Sequence, residues 1–269
     1  MADNVDATRF TEVDATQDSG FFIKFLDART GIEGERSVKE LVLAMLVLET
    51  GLSVLDVGCG AGDDAREIAG LVGPHGKVVG LDHSAAMVEE SHRRAAESSL
   101  PVEFVEGDAC DMRFPSASFD RARADRVFVH LEDPERALAE MVRVVKPGGS
   151  VVITDVDCGT LWLDSPHRET TNKVFASFND SVRSPWVGRS LPRMFQEAGL
   201  SDVECVPRAL RANMGFFQRL HGGQLAQPAV ATQFAPGELD VWWRDLAAAE
   251  ASGHFHYGFC VFTTVGHKA

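Results

Sequence analysis

The sequence predicts an open α/β fold: a mostly parallel sheet with helices on both faces. Three observations carry this. Val54, Leu55 and Val57 make a short apolar run, the pattern of a strand buried on both faces, and Gly58, Gly60 and Gly62 follow it as a tight turn. Similar short runs then alternate with helical patterns as far as Asp155. The second run ends in an acidic residue, Asp82, twenty residues beyond Gly62.

The first unit spans Leu52 to about Val72. Asp56 interrupts its strand two residues before the first glycine, and the glycines let backbone approach a ligand closely. Asp63 or Asp64 can cap the helix that follows, and Gly73-Pro74 ends it. Strand, turn and helix make a nucleotide-binding unit, but two common types fit poorly. A dinucleotide fingerprint needs a small third residue where Asp63 stands, and a phosphate loop needs a Gly-Lys-Ser/Thr ending that does not occur.

Composition narrows the class. The 269 residues are 45% hydrophobic and 25% charged, ordinary for a globular protein with a full core. A net charge of −14 speaks against a nucleic-acid partner, which needs a basic footprint. The five cysteines are scattered without C-x-x-C spacing, as expected of reduced thiols in the cytoplasm rather than disulfides or a metal site. The N-terminus is polar and acidic, unlike a signal peptide, and the longest apolar run, Leu41 to Leu48, is too short to span a bilayer.

The elements follow in order. Residues 1 to about 17 read as mobile, and Asp18-Ser19 can cap a helix carrying Phe21, Phe22, Phe25 and Leu26. These aromatics are either core or part of a lid over a ligand. A second helix, about Ser37 to Glu49, should pack on the sheet. Val78 to Leu81 is the second strand. Ser84 suits the cap of the helix Ala85 to about Ser98, whose Glu89/Arg93 and Glu90/Arg94 pairs mark a solvated face. Met87 on that helix touches a ligand ring or fills core. Val102 to Val105 is the third strand, leading to Gly107-Asp108-Ala109.

The fourth strand, from Phe119, is a misfit. Arg121 and Arg123 fall on one face where a central parallel strand should be apolar. Either the strand begins near Ala122, or the arginines pair with carboxylates under a covering helix. Ala124-Asp125-Arg126 lies at its end, in the crevice where ligands sit in open α/β sheets, and His130 follows. Asp133-Pro134 opens a helix that Lys146-Pro147-Gly148-Gly149 closes. Ser150 to Thr154 is the fifth strand, ending in Asp155 and Asp157. Later come a helix from Arg189 to Ala198, strand six at Asp202 to Val206, and strand seven at Phe255 to Val265. Trp242 and Trp243 share a helix opened by Pro236-Gly237-Glu238, so one of them can line a pocket or an interface.

The Asp56-x-Gly58-x-Gly60-x-Gly62 turn resembles motif I of the class I S-adenosylmethionine (SAM) dependent methyltransferases. The stretch from Phe119 to Asp155 resembles the ubiquinone/menaquinone C-methyltransferase-like small-molecule group of that class. The likeness covers Leu52 to Asp157 well and Arg189 to Val206 more loosely. It implies a Rossmann-like seven-stranded sheet of order 3-2-1-4-5-7-6 with strand seven antiparallel. The chain reads as one domain: a helical cap over residues 1–50, a SAM-binding half over 51–157, and, as departures from the family pattern, long substrate-side insertions at 158–188 and 211–250. Carried over residue by residue, Asp56, Gly58, Gly60 and Ala124 would surround the methionine moiety, Asp82 the ribose, and Asp108 with Ala109 the adenine; Cys59, His83, Met87 and Asp125 are further candidates for binding the cofactor. The N-terminal segment in this family commonly folds over the cofactor.

The chemistry expected is in-line transfer of a methyl group to a small organic molecule at O, N or C, where alignment and desolvation supply much of the acceleration. A phenol or carbon acceptor also needs a base. His130 is the best-placed candidate, unless it only caps or packs its loop. Asp125, Asp155 and Asp157 lack the Asp-Asn pairing of a magnesium-dependent catechol-type site. Two other classes compete: a SAM-binding cyclase or scaffold, and an NAD-dependent oxidoreductase, against which Asp63 and Asp108-Ala109 argue. The first insertion reads as a helix from Pro166 to about Arg183 with two faces. Arg168, Asn172, Phe175 and Asn179 share a narrow polar face, and Val174, Phe178 and Val182 an apolar stripe. The polar face is either simply solvated or a lid whose side chains bind the acceptor.

Overall fold

The sheet has seven strands in the order β3-β2-β1-β4-β5-β7-β6. In the computed structural model, which describes residues 9–16 and 19–269, they are β1 (Ser53–Val57), β2 (Lys77–Asp82), β3 (Val102–Glu106), β4 (Phe119–Asp125), β5 (Val145–Leu163), β6 (Ser201–Ala212) and β7 (Tyr257–His267). The first five run parallel, and β7 is antiparallel to both β5 and β6. The Rossmann-like fold and strand order expected from the sequence are therefore those observed.

Both faces are covered because side chains alternate along each strand. Val54, Val78 and Val152 pack with α2 (Glu35–Leu46) and α3 (Asp63–Val72). Leu55, Val57, Val151 and Ile153 pack on the other face with α5 (Pro134–Val144) and α7 (Val187–Glu197). A third cluster joins α1 (Ser19–Ala28), α6 (Arg168–Ser181), α8 (Met214–Leu225) and α10 (Glu238–Ala251) to β6 and β7. The remaining helices are α4 (Ala85–Ala95) and the short α9 (Pro228–Ala231). No described helix is long and apolar enough to cross a membrane.

Several local expectations need correction. Part of the N-terminal stretch expected to be mobile, Phe10–Ala15, forms a 3-10 turn with Val13 buried. Asp18, the expected cap of α1, lies outside the described residues. Helix α3 starts on Gly62 with positive φ, and Asp63 and Asp64 instead occupy its first turn. Arg93 pairs with Glu90 rather than Glu89, and Arg94 shares that Glu90. Strand β5 runs eight residues past Asp155, to Leu163, because β7 pairs with it as far as Tyr257. Strand β6 likewise extends to Ala212. Trp242 is fully buried and donates to Thr171 Oγ1, while Trp243 is half-buried against Phe217.

Strand β4 is full length, so its arginines do sit under a covering helix. Arg121 donates to the carbonyls of Leu46 and Val47, satisfying the C-terminal end of α2. Arg123 is buried and pairs with Asp56 at 2.8 Å and Asp64 at 3.1 Å. A buried guanidinium is tolerable only when paired in this way.

Candidate active site

The strands β1, β2, β3 and β4 end around a cavity of about 750 Å3. That volume lies within the range of ligand sites, ~300–1,000 Å3. One end is built by the glycine turn. Gly58 and Gly60 have φ of +66° and +53°, and a Cβ on Gly58 would come within 2.2 Å of the Val127 side chain. Only glycine fits there. The turn is tied to β2: Gly58 and Cys59 donate to the Leu81 carbonyl, and Gly60 donates to Asp82 Oδ2 at 2.8 Å.

Asp82 is buried at the tip of β2, and its Oδ1 accepts the Ser84 N–H at 3.0 Å. Each oxygen keeps lone-pair capacity beyond these bonds. Ser84 caps α4 by accepting from Met87 N–H, which leaves Asp82 free of that duty. His83 Nδ1 lies 3.4 Å from Asp82, and this interaction raises the imidazole pKa. Met87 is buried in the cavity wall; Asp108 and Ala109 line it at the end of β3, with Asp108 exposed.

Beside the turn stands a network of buried charge. Arg123 bridges Asp56 and Asp64, Lys39 pairs with Asp64 at 2.6 Å, and Arg29 joins Asp125 to Glu35 at 2.9 Å each. Arg126 closes the network on Glu35 at 2.6 Å. Burial pushes the Asp56 carboxyl upward while Arg123 pulls it down, and burial likewise raises Glu35 against Arg29. Asp56 Oδ2, Asp125 Oδ1 and Arg29 Nε are buried without a hydrogen-bond partner among the described residues, and all three residues line the cavity. Sequence reading missed Arg29, which follows α1 in no motif; four acids facing one strand end with two strand arginines hint only that further cations are needed.

The other end of the cavity is apolar. Val156, Cys158 and Leu161 of β5, Phe178 and Val182 near α6, Phe216 and Leu220 of α8 and Phe259 of β7 line it. His130 faces the cavity from a 3-10 turn, Phe128–His130, with its ring 5.3 Å from that of Phe10. Desolvation, with His83 and Arg183 adding positive charge, lowers its pKa to about 4. Phe10, Thr11 and Val13 reach the cavity from the N-terminal turn, which Asp14 fastens to α4 by accepting from Ser84 Oγ and the Ala85 and Ala86 N–H groups.

The structure thus brings Asp56, Gly58, Cys59, Gly60, Asp82, His83, Met87, Asp108, Ala109, Asp125 and His130 to one cavity. Ala124 is not in its wall; the strand alternation turns its side chain into the core beneath α5. The polar face of α6 is also elsewhere. Arg168 and Asn172 are exposed, Phe175 packs near His221 and Tyr257, and Asn179 is half-buried outside the cavity. Helix α6 does adjoin the cavity, but through the apolar stripe, because burying Phe178 turns Arg168 and Asn172 out to solvent. Of the three acids weighed as magnesium ligands, Asp157 pairs with Arg189 and Asp155 accepts backbone N–H groups. Neither tryptophan of α10 lines the cavity.

Comparison with known proteins agrees with this geometry. A family model described as a methyltransferase domain matches residues 54–149, from β1 to the start of β5. The 37.1 kDa protein of transposon TN4556 from Streptomyces fradiae is 35% identical over 84% of this chain, which spans 66% of that relative's length. The demethylmenaquinone methyltransferase of Listeria monocytogenes is 31% identical, with 65% of this chain matching 81% of that enzyme. Among solved structures, the YcgJ protein of Bacillus subtilis superposes with a TM-score of 0.63 at 20% identity, covering 87% of this chain and 98% of its own. The motif I turn, the strand order and a relative matched over most of its length lead to one conclusion: this chain belongs to the class I SAM-dependent methyltransferases.

Proposed function

We propose that this methyltransferase acts on a small, largely apolar acceptor bound at the His130 end of the cavity. The observation that carries the reading is the division of one cavity into a polar end and an apolar end. SAM, when bound, supplies an activated methyl group on a sulfonium centre.

The residues present fit that cofactor. Its amino-acid portion carries both charges, and the cavity offers the acceptors Asp56 Oδ2 and Asp125 Oδ1 and the donor Arg29 Nε, none hydrogen-bonded among the described residues, with Asp125 Oδ1 also 3.5 Å from Arg126 Nη1. Asp82 has lone pairs left for the ribose hydroxyls. Asp108, Ala109, Met87 and Leu81 line the same cavity and would hold the adenine. The likeness to demethylmenaquinone methyltransferase supports an apolar acceptor. The phenylalanine-rich wall supports it independently: Arg183 near His130 is already paired with Glu132, and burying a further charge against such a wall is costly.

Toward the acceptor, the chain aligns and excludes water. The imidazole of His130 is neutral above about pH 4, so its lone pair is open at neutral pH; burial also makes it a weak base, suited only to an acidic phenol or carbon acid. An amine acceptor needs only its lone pair. Incubation with methyl-labelled SAM and paired acceptors, apolar phenols against phosphorylated amines and amino acids, tests the reading. Label is expected in the apolar set. Transfer only to the charged set contradicts it, and SAM binding without transfer to any acceptor favours a cyclase or scaffold role.

A further inference from the structure

We propose that Asp155 is a positioning residue of this site, holding the turn that carries His130 without touching the acceptor. The inference rests on the reading of His130 given above. Asp155 follows Thr154 near the middle of β5 and is fully buried. Its carboxylate has no lysine or arginine partner among the described residues. It accepts backbone N–H groups instead, Val129 at 3.2 Å on Oδ2 and Val156 at 2.8 Å on Oδ1, with the Phe128 N–H nearby.

Those bonds fall on the segment that most needs them. The chain leaves β4 through Arg126, whose φ of +56° is unusual for a non-glycine residue, and Arg126 N–H is tied to the Thr154 carbonyl at 2.8 Å. It then makes the 3-10 turn Phe128–His130. The first N–H groups of such a turn have no partner within it, and Phe128 and Val129 are buried, so unpaired donors there would be costly. Asp155 supplies the acceptors. From the far side, Ser184 N–H donates to the Val129 carbonyl and Ser184 Oγ to that of Leu131. The turn is clamped between a carboxylate and a loop, and His130 is the residue it presents to the cavity.

The charged and titratable groups around this unit are few. His83 from the end of β2 and Arg183 from beyond α6 face His130; Asp125 of β4 and the Cys158 thiol of β5 lie near Asp155. None of them replaces Asp155 as the acceptor for the turn.

The test is Asp155→Asn, which keeps the shape but turns one acceptor into a donor facing an N–H group. The variant is expected to bind S-adenosylhomocysteine within about twofold of the parent, because Asp155 is fully buried and its side chain is not in the cavity wall. Its Phe128 and Val129 amides should exchange hydrogen faster. The His130 ring, followed by NMR, should titrate nearer the ordinary histidine value of about 6.5. A residue with only a general structural role would lower the melting temperature while leaving the ring titration in place. A folded variant with unchanged amides and unchanged His130 titration overturns the proposal. Should Asp155→Asn not fold, exchange in the parent protein decides: protected Phe128 and Val129 amides support the clamp, and amides exchanging at unprotected rates refute it. These readouts need no acceptor, so failure of the proposed function would show separately, as absent methyl transfer.

Discussion

Asp82 and His130 each face the cavity with a group that a single substitution or a pH change can test. Asp82 joins the glycine turn to β2 and keeps lone pairs for a ligand, so Asp82→Ala removes both a ligand contact and the acceptor for Gly60 N–H. The expected loss of SAM affinity is about 1–3 kcal/mol, the scale of a hydrogen bond to a charged group. Calorimetry measures it, and normal binding by the variant would remove Asp82 from the site. His130 makes a pH prediction. Its pKa is lowered to about 4, so the proton-accepting form is complete above that value and is lost as pH falls through it. A profile of kcat/KM for an acidic acceptor should therefore show no histidine inflection near pH 6.5. A clear loss of rate between pH 7 and 6 would show that the imidazole is protonated in the ordinary range.

At the scale of elements, helix α6 carries the sharpest contrast. Its spacing correctly defines two faces, yet which face meets the ligand depends on the bodies packed around it. Phe178 and Val182 line the cavity, whereas Arg168 and Asn172 are in solvent. Phe178→Ala should weaken acceptor binding by about 1.5–3 kcal/mol, the value of a buried phenylalanine side chain, and spare SAM affinity. Arg168→Ala should leave kcat/KM within about twofold, as surface changes usually do. The reverse pattern in steady-state kinetics would restore the polar face as the binding face. The same dependence on partners explains the strand ends. Residues 158–163 read as the start of an insertion because their strand character comes from pairing with β7, about a hundred residues later. The glycine turn, the cap at Asp133 and the strand tips at Asp82 and Asp108 were legible because neighbouring residues determine them.

Across the fold, the polar end of the cavity was readable and the apolar end was not. The first lies on a contiguous βα series, with one ligand-facing group at each strand end. The second is assembled from β5, α6, α8 and β7, whose contributing residues are spread from Val156 to Phe259 with no fixed spacing. Arg123 was ambiguous for the same reason: its partner Asp56 is 67 residues away. Arg29 was missed because it enters only when the N-terminal helices fold over the strand ends, where it joins Glu35 and Asp125. The molecule is thus one sheet with a cap that completes the charge balance at the polar end of the cavity. Calorimetric titration of the intact chain with SAM and, separately, NAD tests that claim most directly. One SAM per chain with no measurable heat from NAD is the expected result; saturable binding of NAD without SAM binding would contradict the account.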